Sequence, residues 1–178
     1  MPQLTVAQQE AAQAAQDDKA QQTSGRYLAD FILGANDGLI TTFAVVSGSV
    51  GASLPASVVV ILGLANLLAD GLSMGLGNYL GQKSERDYAR RQRKYEEHEV
   101  RHFPAMERRE VREILQRWGL DGATLEAAVV AVTRDPRRWV DFMMREELGI
   151  IEDHPASPGR RGLATFVAFV VVGFLPLL

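Results

Sequence analysis

Paired glutamates in the middle of the chain are the residues best placed to do chemistry. Glu96 and Glu99 lie three residues apart, and Glu107 and Glu110 repeat that spacing. Residues at this spacing project from one face of a helix. Pro104 separates the two pairs and allows the second helix to fold back on the first, so that the pairs face each other. Carboxylates that converge from neighbouring helices are ligands for a divalent cation, as in di-iron helical bundles.

A methionine and a further glutamate, Met143 and Glu147, share a face on a later predicted helix. Carboxylate oxygens suit Fe²⁺ and Mn²⁺, and a thioether shifts the preference away from Mg²⁺ and Ca²⁺. His98, His102 and His154 are further potential ligands. Alternating Arg and Glu is equally typical of a solvated helical face with ion pairs one turn apart. The predicted metal ligands are Glu96, Glu99, Glu107, Glu110, Met143 and Glu147.

Polar residues also interrupt two long apolar segments. Asp37 follows Asn36 inside the first segment, and Met74 lies four residues after Asp70 in the second, on the same helical face. An ionisable group inside a membrane span is costly and usually marks an ion pathway or a proton relay. The alternative is that the Asp and Asn side chains lie at the headgroups and that Met74 only packs. The predicted pathway residues are Asp37, Asn66, Asp70 and Met74.

The elements that must position these residues are three apolar segments and a charged insert. Residues 31–54 and 56–81 are each long enough to cross a hydrocarbon core of about 30 Å, and Pro55 marks a tight hairpin between them. Residues 162–178 form a third segment near the lower length limit, so we expect an incomplete span and a C-terminally truncated chain. The predicted domains are a polar tail over 1–25, two transmembrane helices over 26–81, a helical insert over 82–160 and a third transmembrane helix over 161–178.

Local signals divide the insert into four helical segments. We expect a helix over 82–101, a break before Pro104, and helices over about 105–118, 122–133 and 136–148. Gly119 fits the position after a helix end, and Asp121 and Asp135 fit N-caps. Residues 153–161 are predicted to form a linker. In the apolar segments, close helix packing is indicated by GxxxG pairs, namely Gly34/Gly38, Gly71/Gly75 and Gly77/Gly81.

The charge distribution predicts the orientation in the membrane. Residues 82–161 hold 17 of the 19 Lys and Arg residues, and the hairpin loop holds none. The positive-inside rule then places the N-terminus and the insert in the cytoplasm. The chain has no cysteine, which excludes disulfides and thiolate metal sites. A net charge of −3 gives no footprint for nucleic-acid binding, and we expect neither enzymatic activity nor an organic cofactor.

Two motifs resemble the vacuolar iron transporter family, which includes bacterial members. They are GANDGLITTFAVVSG over 34–48 and LADGLSMGLGNYLGQKSE over 68–85, and the glutamate-rich insert and residues 161–178 extend the resemblance. The resemblance covers about residues 26–178. One departure is Asn78, because many members have glutamate there. The other is that the last two spans of the family are missing.

The resemblance implies a homodimer of chains with five transmembrane helices, moving Fe²⁺ or Mn²⁺ out of the cytosol in exchange for protons. Co²⁺ and Zn²⁺ are further expected ions, and membrane lipid is an expected partner. By motif position, Asp37 and Met74 match residues of the translocation path, and the six predicted insert ligands match the Glu and Met ligands of the family. A bacterial inner membrane is the expected location.

Two other functions stay open. One is a membrane-tethered carboxylate protein that stores or oxidises iron, although the expected Glu-x-x-His spacing is missing. The other is a non-transporting remnant that buffers metal or partners a full-length copy.

Overall fold

Every regular element that the computed structural model describes is helical, which confirms the all-α prediction. The structure describes residues 6–151 and 157–178, with side chains from residue 24 onward. The chain divides into an apolar unit, residues 1–83 with 154–178, and an insert unit, residues 84–153. The elements are α1 (Val6–Gly51), α2 (Ala56–His102), α3 (Pro104–Arg117), α4 (Gly122–Thr133), α5 (Pro136–Glu146), α6 (Pro158–Gly173) and a 3₁₀ turn (Leu175–Leu177).

Among the residues that the structure describes, three helical segments are long and apolar enough to cross a membrane, judged by length and composition: Ser24–Gly51, Ala56–His102 and Pro158–Leu177. Helix α2 has 47 residues, which corresponds to about 70 Å at the α-helical rise. This is more than twice the thickness of a hydrocarbon core of about 30 Å. A single span therefore needs only part of this helix, and the apolar residues of α2 are concentrated in 56–81, before the run of charged residues begins at Lys83.

The turn between α1 and α2 is a tight hairpin, as predicted. Ser53 adopts a left-handed conformation with φ 57° just after the helix end. Leu54 N–H donates to the Ser49 carbonyl at 3.0 Å, and Ser53 N–H donates to the Val50 carbonyl at 2.9 Å. These two bonds form a Schellman motif, which satisfies the last carbonyls of α1.

Helix α6 packs against α1 and α2 through glycines. A Cβ added at Gly34 would lie 2.3 Å from the Thr165 carbonyl oxygen, and one at Gly162 would lie 2.5 Å from the Gly75 carbonyl oxygen. No side chain fits at either distance. By contrast, an added Cβ at Gly77 or Gly81 has no neighbouring atom within 4 Å in the described part of the chain. Two of the three predicted GxxxG pairs therefore contribute close contacts within the apolar unit.

The insert unit closes around an apolar core, and its helix limits lie within two residues of those predicted. Gly119 follows α3 with φ 87°, and the Asp135 carboxylate accepts the Arg137 N–H at 2.9 Å as an N-cap, so both predictions are confirmed. Asp121 lies at the predicted N-cap position of α4, but its side chain forms no cap bond. The core consists of Val100, Val111, Ile114, Leu115, Leu125, Val129, Trp139, Val140, Met143 and Met144.

Two boundaries differ from the sequence expectation. The predicted polar tail is helical from Val6 onward and continues into the first apolar segment without a break. The predicted linker over 153–161 is too long, because α6 begins at Pro158. Proline favours the first turn of a helix, where its missing N–H costs no hydrogen bond. His154 lies outside the described residues.

Candidate functional site

A buried ion pair links two helices of the apolar unit. Asp30 of α1 is only 4% exposed. Its carboxylate accepts hydrogen bonds from Arg161 of α6, from Nε at 2.7 Å and from Nη2 at 2.9 Å. The third guanidinium nitrogen, Nη1, donates to the Gln82 side-chain oxygen on α2. This bidentate geometry is the strongest that an Arg–carboxylate pair adopts.

Asn78 completes this ion-pair cluster from the second helix. Its amide nitrogen donates to Asp30 Oδ1 at 3.0 Å and to the Thr165 hydroxyl at 2.7 Å. The hydroxyl of Thr165 in turn donates to the Arg161 carbonyl at 3.2 Å. The cluster of Asp30, Asn78, Gln82, Arg161 and Thr165 therefore ties α1, α2 and α6 together.

Sequence reasoning missed Asp30 and interpreted Arg161 only as a marker of membrane orientation. The signal was present, because Asp30 precedes Asp37 by seven residues, or about two helical turns, and so shares its face. The partner could not be read from spacing, since Arg161 lies 131 residues away. Asn78, which departs from the family pattern, bonds to this aspartate.

Two polar contacts between α1 and α2 bracket the predicted pathway residues. Asp30 meets Asn78 at one end, and Thr41 accepts from the Asn66 amide at 3.5 Å at the other. The helices are antiparallel across their hairpin. Along α1, Asp37 lies between the two contacts, and along α2, Met74 and Asp70 lie between them. The structure therefore brings these three residues to the same stretch of the helix pair.

The bracketed residues are half-buried rather than enclosed. The Thr41 hydroxyl also donates to the Asp37 carbonyl at 2.8 Å, which connects Asp37 to Asn66 through a single side chain. Asn66 and Asp70 line a groove of about 570 Å³ between α1 and α2, together with Ser49 and small apolar residues. A groove with amide, hydroxyl and carboxylate groups can admit water or a cation where a purely apolar groove cannot.

The insert unit buries two of the predicted glutamate ligands. Glu96 of α2 is 3% exposed and Glu107 of α3 is 1% exposed. Within the described residues, neither Glu96 Oε2 nor Glu107 Oε2 has a hydrogen-bond partner. Buried carboxylate oxygens without partners are rare, since desolvation is then uncompensated.

Burial and mutual repulsion leave these carboxyls reluctant to ionise. Burial, followed by repulsion from Glu147, Glu99 and Glu110, raises the pKa of Glu96 to about 7. Burial and the charges of Glu110, Glu96, Glu99 and Glu147 raise the pKa of Glu107 to about 8. Burial likewise raises the pKa of the more exposed Glu147. The five predicted glutamates therefore act on one another electrostatically, and we call them the carboxylate cluster.

The cluster is not a preassembled metal site. In residues 6–151 and 157–178, no three acidic or histidine side chains are arranged to hold a metal ion. Met143, the sixth predicted ligand, is fully buried within the apolar core of the insert. Its thioether has a packing role there, and its role as a ligand stays a prediction.

Together these features define a helical protein with three segments of membrane-spanning length, polar residues inside them and a carboxylate-bearing helical insert. A model of the VIT family matches residues 28–178. The match covers most of the chain, so the chain belongs to this family, and the resemblance seen in its motifs is confirmed.

Curated relatives bear the name of the same family. Vacuolar iron transporter 1 of Oryza sativa subsp. japonica is 40% identical over 156 residues, covering 88% of this chain and 62% of the relative. Vacuolar iron transporter 1 of Arabidopsis thaliana is 39% identical, with the same coverage of 88% and 62%. The vacuolar iron transporter of Toxoplasma gondii (strain ATCC 50861 / VEG) is 40% identical, covering 87% of this chain and 52% of the relative. The chain thus spans between half and two thirds of the length of these relatives.

Proposed function

We propose that this chain takes part in moving Fe²⁺ or Mn²⁺ across a membrane, out of the cytosol and in exchange for protons. The observation that carries the proposal is the bracketed stretch of α1 and α2, where Asp37, Asp70 and Met74 lie between two polar contacts. The names of the relatives support iron as the cargo.

Asp37 is the residue on which transport should depend most. A divalent cation that sheds water needs an anionic oxygen ligand, and proton exchange needs a ligand that can release the cation by taking up a proton. Asp37 meets both requirements, whereas Met74 can only coordinate. Asp30 is already neutralised by Arg161, so it is the poorer candidate for a cation ligand.

The carboxylate cluster is proposed to capture the ion on the cytoplasmic side. A bound cation would neutralise the repulsion among the five glutamates and supply partners to the two orphaned oxygens. Because burial and the neighbouring glutamates raise the pKa of Glu107, we expect metal binding at the cluster to release protons.

The test is metal uptake into proteoliposomes that contain the chain. Asp37→Asn keeps the shape and removes the charge, and we expect it to abolish uptake. Met74→Leu should weaken uptake and change the metal preference. Asn36→Ala, at the exposed neighbouring position, is the matched control and should transport normally. Normal uptake by Asp37→Asn would place the pathway elsewhere.

The same assay separates the alternative functions. If the wild-type chain binds Mn²⁺ in detergent but shows no uptake, it buffers metal rather than transporting it. If it consumes O₂ while oxidising Fe²⁺, it is an oxidising carboxylate protein. In both cases Glu107→Gln with Glu110→Gln should remove the binding of Mn²⁺ or Fe²⁺ at the carboxylate cluster, and Glu113→Gln, on the exposed side of α3, should retain it.

The proposal includes a homodimer with the N-terminus and the insert in the cytoplasm. The orientation is supported by the basic residues of the insert, and reporter fusions at Ser53 and Gly122 should lie on opposite sides of the membrane. The bacterial inner membrane stays a prediction, since the relatives named above are eukaryotic vacuolar transporters.

A further inference from the structure

Two histidines at the end of α2 lie outside the carboxylate cluster and have no part in the proposed transport. The segment His98-Glu99-Val100-Arg101-His102 matches the pattern H-E-x-x-H on a helix. This spacing places two imidazoles one turn apart on one face, where they can bind a single Zn²⁺. The signal is in the sequence, but only the helix shows that both rings are on an accessible surface.

The two rings stack on each other. The centroids of His98 and His102 are 4.1 Å apart, and the ring planes are inclined by 24°. Both side chains are exposed. Both rings therefore lie together on one accessible face of α2.

A hydrogen bond fixes the nitrogen that His102 can offer. His102 Nδ1 lies 2.8 Å from the His98 carbonyl oxygen. A carbonyl oxygen only accepts, so Nδ1 must carry the hydrogen. In the neutral ring the lone pair is then on Nε2, which points away from the backbone. The same type of bond orients ligating histidines in metal sites, where the second ring nitrogen donates to a carbonyl group.

The site lacks what a metalloprotease needs. Catalytic zinc sites use three protein ligands, and no third acidic or histidine ligand joins the pair in the described part of the chain. Glu99, at the position of the catalytic base, is half-buried and acts electrostatically on Glu96 and Glu107. It therefore belongs to the carboxylate cluster on another face of the helix.

We propose that His98 and His102 form a second divalent-metal site, with water completing the coordination, that takes Zn²⁺ and other imidazole-preferring ions. Imidazole suits Zn²⁺, Ni²⁺ and Cu²⁺, whereas carboxylate oxygen suits Mn²⁺. Helix α2 then presents two metal sites of different chemistry on two faces. This site does not depend on the proposed transport function.

Zinc titration of the full chain in detergent tests the site. The wild type should bind one more equivalent of Zn²⁺ than the double variant His98→Ala with His102→Ala. If both proteins bind the same number of equivalents, the wild type should bind one of them at least tenfold more tightly. The chain has three histidines, and His154→Ala is the matched control that should retain this equivalent. Both substituted side chains are exposed, so helicity measured by circular dichroism should be unchanged.

A second measurement distinguishes Zn²⁺ binding by the two histidines from Zn²⁺ binding by the carboxylate cluster. In Glu107→Gln with Glu110→Gln, added Zn²⁺ should still shift the ring ¹⁵N resonances of His98 and His102. The proposal is overturned if these resonances do not move, if the double-histidine variant binds Zn²⁺ as the wild type does, or if His154→Ala alone removes the equivalent.

Discussion

Asp30 in the apolar unit and Glu107 in the insert unit are buried to a similar degree, 4% and 1% exposed, yet their surroundings are opposite. Asp30 accepts two bonds from Arg161 and one from Asn78. Among the described residues, one oxygen of Glu107 has no hydrogen-bond partner, and four glutamates repel its charge. Burial by itself therefore does not identify a functional carboxylate. The informative difference is whether the protein provides the compensating positive charge.

The comparison separates a structural role from a binding role. A buried carboxylate that pairs with a basic side chain of the same protein holds their two helices together. If either partner is removed, the charge of the other stays buried and uncompensated. A buried carboxylate among like charges stabilises the empty fold only when it is protonated. The second kind has capacity left for a cation from outside, which is the property that metal capture requires.

Removal of Arg161 should have the largest effect on stability, because it makes the surroundings of Asp30 resemble those of Glu107. Arg161→Ala leaves Asp30 buried without its partner, and we expect a loss of about 3–5 kcal/mol in the free energy of unfolding. Thermal unfolding in detergent measures the loss. Arg160→Ala, at the exposed neighbouring position, is the control and should unfold like the wild type.

Replacing both members of the ion pair with neutral residues tests whether the uncompensated charge causes the loss of stability. Asp30→Asn with Arg161→Gln removes both charges and keeps hydrogen-bonding groups, so most of the stability should return. If Arg161→Ala alone matched the wild type, the ion pair would contribute nothing to the fold.

Glu107→Gln should have the next largest effect, with the opposite sign. The pKa of Glu107 in the folded protein is about 8, above its ordinary value of 4.5. Below pH 4.5 both states hold the proton, and as pH rises toward 8 only the unfolded state releases it. Metal-free stability should therefore fall between these values. The variant cannot ionise at this position, so it should be more stable than the wild type at pH 8.

Denaturant unfolding across this pH range in the presence of a chelator tests the prediction for Glu107. Glu113→Gln, on the exposed side of the same helix, should keep the pH dependence of the wild type. A wild-type stability that rises steadily from pH 5 to pH 8 would show that Glu107 is not held in its neutral form.

The close contact between α1 and α6 beside the ion pair should tolerate substitution better than the ion pair itself does. Gly34 follows Asp30 by one turn and contacts the Thr165 backbone, one turn after Arg161. Gly34→Ala forces α1 and α6 apart, with an expected cost of roughly 1–3 kcal/mol. Gly77→Ala is the matched control, since open space surrounds that position and alanine favours a helix. Thermal unfolding should rank Gly34→Ala below the wild type and Gly77→Ala at or above it.

The two N-cap aspartates also differ in whether the carboxylate has a hydrogen-bond partner, and here the expected energies are smaller. Asp135 accepts a backbone hydrogen bond, whereas Asp121 forms none. Asp135→Ala should cost about 1 kcal/mol, and Asp121→Ala should cost less than half of that. Denaturant unfolding of both variants decides this, and equal losses would mean that the Asp121 side chain caps α4 in solution.

The sequence by itself determined the helices and most of their limits. Apolar length predicted the long segments, Pro104 and Gly119 predicted breaks, and Asp135 predicted the start of α5, because each of these signals acts through the local backbone. Asp121 occupies the N-cap position that its residue type predicts, but its side chain forms no cap bond, so the residue type fixes the helix start without fixing the bond.

The tertiary structure decided which polar residues are satisfied and which glycines are used. Three GxxxG pairs look alike in the sequence. Among the described residues, an added Cβ at Gly77 or Gly81 meets no atom within 4 Å, whereas one at Gly34 meets α6. Asp30 and Arg161 are 131 residues apart and form one ion pair. Helical spacing fixes which residues share a face, but it holds no information about which other helix meets that face. The partner of a buried charge is therefore decided only when the helices pack.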